Sequence, residues 1–309
     1  MSLGRPFPRR VHITEMGPRD GLQNERQPVP TDVKVAFVRG LVAAGLTDIE
    51  VTSFVRPDRV PQLADAREVM AALGPAPDGV TWSALVPNER GWEAARASGV
   101  GKIGVFAAAS ETFSQRNVNA SIAETIERFR PVVMAALAEQ VHVRGYVSCA
   151  VACPFEGPIE PAAVVRVTQQ LLDLGCEEIS LGDTIGAGTP ADIAALLDVV
   201  LAEVDADHIV LHFHDTRGMA IANVVEGLRF GITSFDASAA GLGGCPFAPG
   251  ASGNLATEDL VFLLDGLGIQ HGIDLERLRA ASEVLVPHLG HPFVGRVRQA
   301  PPLPRSRRS

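Results

Sequence analysis

The chain has 309 residues, of which 46% are hydrophobic and 20% are charged, and its formal net charge is −9. This size and balance are typical of a globular protein that can bury a core without disulfide support. The negative net charge disfavours a nucleic-acid-binding protein. No apolar run is long enough to cross a membrane, so a membrane partner is not expected.

The cysteine content and the amino terminus indicate the compartment. Four cysteines are too few for a secreted disulfide framework, and the first ten residues lack the hydrophobic segment of a secretory signal. A mitochondrial transit segment is not recognisable either. We therefore expect a cytoplasmic protein. The sequence does not reveal the oligomeric state, so a homodimer stays open, and we expect the tail Pro301–Ser309 to fray.

Short β-rich runs recur about every 30 residues and alternate with helix-like segments. The predicted strands are Val11–Thr14, Asp48–Thr52, Thr81–Val86, Ile103–Ala107, Val141–Ser148, Glu178–Gly182, Ile209–His214 and Ser234–Ala239. The first predicted helix is Thr31–Ala44, with Thr31 as its N-cap. A second helical segment begins with the capping box Ser121–Glu124, and Pro131 should kink or break it. The other predicted helices are Ala162–Leu174, Ala191–Glu203, Met219–Phe230 and Thr257–Leu267.

Eight strands alternating with helices predict an α/β fold, a (β/α)8 TIM barrel over about residues 11–270. An additional C-terminal helix is expected over about residues 274–290. An open doubly wound sheet is the second alternative, because such sheets usually have fewer strands and no Gly-x-Gly-x-x-Gly turn follows the first strand. No linker or low-complexity segment divides the chain, so we predict a single domain.

Unusual polar residues fall where the predicted strands end, which is where chemistry takes place in a barrel of this kind. They are Arg19 and Asp20 after the first strand, Glu50 on the second, Arg144 and Tyr146 on the fifth, Ser180 and Asp183 on the sixth, His212 and His214 on the seventh, and Cys245 and Asn254 in a glycine-rich loop after the eighth. Residues far apart in the sequence should therefore converge on one rim.

The pair His212 and His214 indicates a metal site. Side chains two residues apart in a strand point the same way, so both imidazoles should project into the barrel mouth. Asp20 offers a carboxylate oxygen and Asn254 an amide oxygen. Such a mixed set suits Mg²⁺ or Mn²⁺ at least as well as Zn²⁺. An isolated His-x-His pair is more often structural, but its position here favours a divalent cation.

Three further residues have a chemical interpretation and a structural one. Arg19 could hold a carboxylate or stabilise a developing enolate oxygen, or it could form a surface ion pair. Glu50 could neutralise Arg19 in the site or belong to an ion pair inside the barrel, and the sequence does not separate these roles. Cys245 fits an acid–base role on a mobile loop better than that of a small buried residue.

Several segments resemble the motifs of 3-hydroxy-3-methylglutaryl-coenzyme A (HMG-CoA) lyases. They are Glu15–Glu25, Val51–Val55, Arg144–Cys149, Ser180–Gly186 and Ala240–Glu258, and the similarity extends from about Val11 to Leu278. The last segment, with its Gly-Gly-Cys-Pro sequence, is the most specific. Arg217 stands where the family pattern has tyrosine, which leaves the preferred acyl chain less certain than the reaction type.

The resemblance implies cleavage of HMG-CoA to acetyl-CoA and acetoacetate, a reaction of leucine degradation and ketone-body formation. It implies a divalent metal, Mg²⁺ or Mn²⁺, held by Asp20, His212, His214 and Asn254, with Arg19 stabilising the enolate and Cys245 as the catalytic thiol. Glu50 and Asp183 are implied as supporting acids, and His212 is a candidate base. The substrate-binding residues predicted are Arg19, Gln23, Arg144, Tyr146 and Ser180.

Three alternatives remain at this stage. A condensing synthase of the same superfamily shares the Arg-Asp start and the His-x-His strand, but it usually has a large C-terminal regulatory region and lacks the Gly-Gly-Cys-Pro loop. A lyase for a longer-branched 3-hydroxyglutaryl-CoA fits the same motifs. An inactive acyl-CoA-binding relative is disfavoured by the intact set of site residues.

Overall fold

The computed structural model describes residues 7–244 and 253–301. Eight parallel strands close into a barrel in which each strand pairs with its neighbour in sequence and the last pairs with the first. The strands are β1 (His12–Glu15), β2 (Asp48–Ser53), β3 (Thr81–Leu85), β4 (Lys102–Ala108), β5 (His142–Ser148), β6 (Glu178–Asp183), β7 (Ile209–Phe213) and β8 (Ser234–Ala237). The predicted (β/α)8 barrel is confirmed, with every strand end within about two residues of its predicted place.

Helices surround the barrel. They are α1 (Thr31–Ala43), α2 (Ala66–Leu73), α3 (Glu89–Ala97), α4 (Glu111–Val118), α5 (Ile122–Ala138), α6 (Pro161–Leu174), α7 (Pro190–Val200), α8 (Ala220–Arg229), α9 (Thr257–Leu267), α10 (Leu275–Glu283) and α11 (Arg296–Gln299). A short antiparallel hairpin, Ala152–Cys153 with Gly157–Pro158, follows β5. Across the described ranges no helix is long and apolar enough to cross a membrane.

Alternation along each strand separates the outer core from the barrel interior. In β4, Ile103 and Val105 are fully buried within the main apolar core. The intervening Gly104 faces the interior, because a Cβ atom added there would lie 2.6 Å from a ring carbon of Tyr146. The period of two therefore places apolar side chains toward the helices and leaves the interior for polar groups.

Several local predictions are corrected by the structure. Helix α1 begins at Thr31 itself, and Thr31 is not its N-cap, since its hydroxyl donates to Asp65 at 2.7 Å. The predicted capping box of α5 is present, but the helix is not broken at Pro131 and continues to Ala138. Packing of the helix against the barrel outweighs the hydrogen bond that proline cannot donate.

The C-terminal region contains more structure than the sequence predicted. The expected helix over residues 274–290 is divided into α10 and a 3₁₀ turn, Val286–His288. The following residues pack on the barrel rim, where the backbone N–H groups of Val294 and Gly295 both donate to the carbonyl oxygen of Ala240 at 3.2 Å. Asp259 accepts the first two N–H groups of α11. Residues 302–309 of the predicted fraying tail lie outside the described residues.

Candidate active site

The segment after β1 places a cation and an anion at the barrel mouth. One turn of π-helix, Gly17–Gly21, follows the strand and contains Arg19 and Asp20. The Arg19 guanidinium donates from Nη1 to Asp20 Oδ1 at 2.5 Å and from Nε to Glu50 Oε2 at 2.5 Å. Arg19 is only 6% exposed, so both ion pairs are shielded from water.

Asp20, His212 and His214 come together as the sequence predicted. One ligand atom from each lies within 4.8 Å of the others, a spacing that allows them to share one ion. The two imidazole rings are 5.3 Å apart between centroids. Their common direction follows from the alternation of side chains on β7, although the strand itself ends at Phe213 and not at His214.

Asn254 completes this group. Its Nδ2 donates to Asp20 Oδ2 at 2.9 Å and to the carbonyl oxygen of Leu242 at 3.0 Å. Its Oδ1 and the Nδ1 of His214 are buried atoms without a hydrogen-bond partner among the described residues. Buried polar atoms normally have a partner, so these two atoms are available to coordinate a ligand. A carboxylate, an amide oxygen and two imidazoles fit a divalent cation.

The protonation states of Asp20 and His214 suit metal binding. Burial and the neighbouring His212 lower the pKa of His214 to about 4, which leaves its imidazole neutral at physiological pH. Burial opposes ionisation of Asp20, but Arg19 and the two imidazoles outweigh it and lower the pKa of the carboxyl group. A neutral imidazole and an ionised carboxylate are the forms that bind metals.

Asp236, which the sequence reading missed, orients His212. Its Oδ2 lies 3.2 Å from His212 Nδ1 and accepts from Ser180 Oγ at 2.8 Å, while its Oδ1 accepts from Arg144 Nη1 at 2.7 Å. Burial would lower the pKa of His212, but Asp236 raises it overall. A carboxylate that holds one ring nitrogen fixes the other for a metal. A lone aspartate inside the predicted strand β8 was the available signal.

We expect Asp236→Asn to weaken Mn²⁺ binding by about 10–100-fold, as is typical for loss of a group that orients a metal-binding histidine. The dissociation constant can be measured by calorimetry. Ser180→Ala is the matched control, because it removes another hydrogen bond to Asp236 and leaves the Asp236 carboxylate and the His212 imidazole in place. Equal affinity in Asp236→Asn and the unmodified protein would contradict this role.

Glu50 and Tyr146 lie beside Arg19. The Tyr146 hydroxyl donates to Glu50 Oε1 at 3.0 Å, and the Arg19 guanidinium carbon lies 5.6 Å from the centre of the tyrosine ring. Burial raises the pKa of Glu50, and Arg19 only partly offsets this. The two interpretations of Glu50 are therefore compatible, because it is buried in the barrel and also pairs with Arg19 at the mouth.

Arg144 and Ser180 lie deeper in the barrel than the metal-binding candidates. Arg144 is 1% exposed and donates to Glu178, Asp236 and Thr14, so its guanidinium is held by the barrel interior. Ser180 donates to Asp236. These contacts give both residues a supporting position beneath His212, and substrate binding by them stays a prediction.

Gln23 and Asp183 occupy different parts of the rim. Gln23 Nε2 donates to Asp20 Oδ1 at 3.1 Å, next to the proposed ligands. The two oxygens of Asp183 accept the N–H groups of Ala187 and Gly188, which fixes the loop after β6. Arg217 donates to backbone carbonyl oxygens of that same loop.

Cys245 lies outside the described residues, so its role stays a prediction. The residues before it are described. The side-chain amide of Asn24 donates to the carbonyl oxygen of Gly244 at 3.1 Å. Cys149, Cys153 and Cys176 are buried.

Known proteins resemble this chain in sequence and in fold. The HMGL-like family model matches residues 10–285. The mitochondrial HMG-CoA lyase of Arabidopsis thaliana is 51% identical over 94% of this chain, which spans 62% of that relative's length. The 3-hydroxy-3-isohexenylglutaryl-CoA/HMG-CoA lyase of Pseudomonas aeruginosa is 51% identical, with 92% and 94% of the two chains covered.

A solved structure shares the architecture closely. The crystal structure of HMG-CoA lyase from Pseudomonas aeruginosa superposes with a TM-score of 0.93 at 49% sequence identity, covering 96% of this chain and 98% of that one. A match of the family model over most of the chain, together with relatives at this level of identity, decides the classification. The chain belongs to the HMGL-like family.

Proposed function

We propose that this protein is a metal-dependent carbon–carbon lyase that cleaves HMG-CoA to acetyl-CoA and acetoacetate. The observation that carries the proposal is the cluster of Asp20, His212 and His214 at the barrel mouth. Beside it lies the Oδ1 of Asn254, a buried atom with no hydrogen-bond partner in the described part of the chain. The similar lyases from Arabidopsis and Pseudomonas support the choice of substrate.

Asp20, His212, His214 and Asn254 would hold the cation, and Mg²⁺ or Mn²⁺ suits this donor set. When bound, the cation supplies positive charge that lowers the pKa of the substrate's tertiary hydroxyl group. We assign removal of the hydroxyl proton to a neighbouring carboxylate and not to His212, because Asp236 holds one ring nitrogen of His212 and the cation would take the other. The C2–C3 bond then breaks, the hydroxyl-bearing carbon becomes the ketone of acetoacetate, and the bonding electrons pass to C2.

We assign stabilisation of the resulting thioester enolate to Arg19. Its guanidinium is fixed by Glu50 and Asp20, so no reorganisation is required when negative charge develops. We assign delivery of a proton to C2 to Cys245, which gives acetyl-CoA. Glu50 and Tyr146 keep Arg19 in place, while Asp183 fixes the neighbouring loop. Gln23, Arg144 and Ser180 belong to the proposal as substrate-binding residues.

The assay that tests this proposal is acetoacetate release from HMG-CoA by the purified protein with Mg²⁺ or Mn²⁺. We expect release that EDTA abolishes and that added cation restores. Cys245→Ala is expected to lower turnover by at least about 100-fold, because general acid–base groups contribute this much, while Mn²⁺ affinity is kept. Absence of acetoacetate at saturating metal and substrate would contradict the function.

A longer-branched substrate is the second candidate, because the Pseudomonas relative is named for 3-hydroxy-3-isohexenylglutaryl-CoA as well as HMG-CoA. The same assay with both thioesters compares kcat/KM for the two chains. A cytoplasmic location, which rests on the composition, and a role in leucine degradation and ketone-body formation, which rests on the family resemblance, also belong to this proposal. A homodimer stays open.

A further inference from the structure

Glu15 is a buried acid outside the metal cluster. It is the last residue of β1 and is fully buried. Its Oε1 accepts the backbone N–H groups of Gly17 at 2.8 Å and Ala239 at 2.7 Å, and its Oε2 contacts the Thr257 hydroxyl at 2.7 Å. One carboxyl group therefore contacts three separate parts of the chain.

Each of these three parts is close in sequence to residues of the candidate site. Gly17 opens the turn that contains Arg19 and Asp20. Ala239 and Thr257 stand at the two ends of a segment that includes Asn254. A Cβ atom added at Gly17 would lie 2.6 Å from Glu15 Oε1, so a larger residue there would displace either the carboxyl group or the turn.

A second buried acid strengthens the same junction. Glu258 is fully buried, and its Oε2 accepts the N–H group of Ala240 at 2.7 Å. Ala240 has a left-handed backbone with φ of 62°, which is unfavourable for a residue with a side chain. Two successive amides, Ala239 and Ala240, are thus each held by a buried carboxyl group, and this stabilises the strained turn.

Burial and hydrogen bonding have opposite effects on the Glu15 carboxyl group. Burial raises the pKa of Glu15 to about 8, although its three hydrogen bonds oppose the shift. Both amides donate to Oε1, and the Thr257 hydroxyl donates to Oε2. Glutamine can keep all three contacts, because its carbonyl oxygen accepts both amide N–H groups and its amide nitrogen donates to the hydroxyl oxygen of Thr257.

We propose that Glu15 is a positioning residue whose carboxyl group sets the Arg19–Asp20 turn and both ends of the Asn254 segment relative to each other. The consequence is the observed contact of Asn254 Nδ2 with Asp20 Oδ2 at 2.9 Å, which aligns two proposed metal ligands. The inference rests on the proposed function, because it assigns Asp20 and Asn254 to the cation. A Mn²⁺ titration needs no substrate, so it separates this inference from the lyase assignment.

The test compares Glu15→Met, which keeps side-chain length without hydrogen bonds, with Glu15→Gln. We expect Glu15→Met to weaken Mn²⁺ binding by about 10–100-fold, with a fall in kcat larger than any change in KM. Glu15→Gln is expected to bind Mn²⁺ within about threefold of the unmodified protein. Unchanged Mn²⁺ affinity in Glu15→Met would overturn the proposal, as would an equal loss in both variants.

A milder pair of variants applies if Glu15→Met does not fold. Thr257→Val keeps the shape of a fully buried residue and removes only its hydroxyl contact with Glu15. We expect about a threefold to tenfold loss of Mn²⁺ affinity, the effect of one hydrogen bond, and retention of affinity in Thr257→Ser. If Thr257→Val binds Mn²⁺ as tightly as Thr257→Ser, Glu15 does not position the ligands.

Discussion

Replacement of Arg19 by methionine is expected to lower kcat for HMG-CoA cleavage by about 10³-fold, at the upper end of the effect of losing a preorganised donor to a developing oxyanion. Arg19 is buried and fixed by two short ion pairs, so no water or other cation replaces it easily. Metal affinity should change less than turnover, because Asp20, His212 and His214 remain together. Steady-state kinetics and a Mn²⁺ titration measure the two effects separately.

The same variant should also affect stability through Glu50. Loss of one partner of a buried ion pair costs about 3–5 kcal/mol when the other charge is left unpaired. Burial already raises the pKa of Glu50, so without Arg19 the carboxyl group should take up a proton, which reduces this cost. Chemical denaturation measures the free energy of unfolding.

The double variant Arg19→Met with Glu50→Gln is the control for folding. It removes both charges and keeps the Tyr146 contact available, so it should recover much of the lost stability. Its turnover should remain as low as that of Arg19→Met. Recovery of turnover in the double variant, or a single variant within about tenfold of the unmodified rate, would show that Arg19 has a structural role only.

The barrel could be predicted because its determinants are local. Alternating apolar residues and turn signals mark each strand, and eight such units allow few other folds. The same logic located Asp20, His212 and His214, since residues at the carboxyl ends of parallel strands meet at one rim. The sequence shows directly which residues follow each strand, and a small error in a predicted strand boundary does not change this order.

The depth of a side chain inside the barrel could not be predicted in this way. Arg144 and Tyr146 are on the same face of β5, yet Tyr146 contacts Glu50 at the mouth while Arg144 is held by Glu178 and Asp236 below it. Asp236 was missed for the same reason, because its role depends on its pairing opposite His212 across β8 and β7. Strand register is set by barrel closure, which a single strand does not encode.

The N-terminus of α1 and the C-terminal region differ from prediction because tertiary contacts compete with local signals. Thr31 has the side chain of a good N-cap, but its hydroxyl is used by Asp65. Residues 293–300 carry no strong periodic pattern and are ordered by contacts with Ala240 and Asp259. Local propensity is a weak guide where such partners are available.

Removal of either strand imidazole, by His212→Ala or His214→Ala, is expected to weaken Mn²⁺ binding by at least about 100-fold, since loss of an outer residue alone costs 10–100-fold. His214 should give the clearer result. Its pKa is lowered to about 4, so the imidazole is neutral and ready to bind across the physiological pH range. Turnover of HMG-CoA should fall in parallel, and higher Mn²⁺ concentrations should restore part of it.

His291→Ala is the matched control for loss of an imidazole at the rim. His291 pairs with Glu25 and is not one of the clustered ligands, so Mn²⁺ affinity should be unchanged in that variant. A high Mn²⁺ concentration can saturate a weakened site, so a residue that only holds the ion is no longer needed for turnover under that condition. Restored turnover of His214→Ala at high Mn²⁺ would therefore show that His214 binds the metal and takes no part in the chemical step. Unchanged Mn²⁺ affinity in both His212→Ala and His214→Ala would contradict the assignment of the metal site and the mechanism that depends on it.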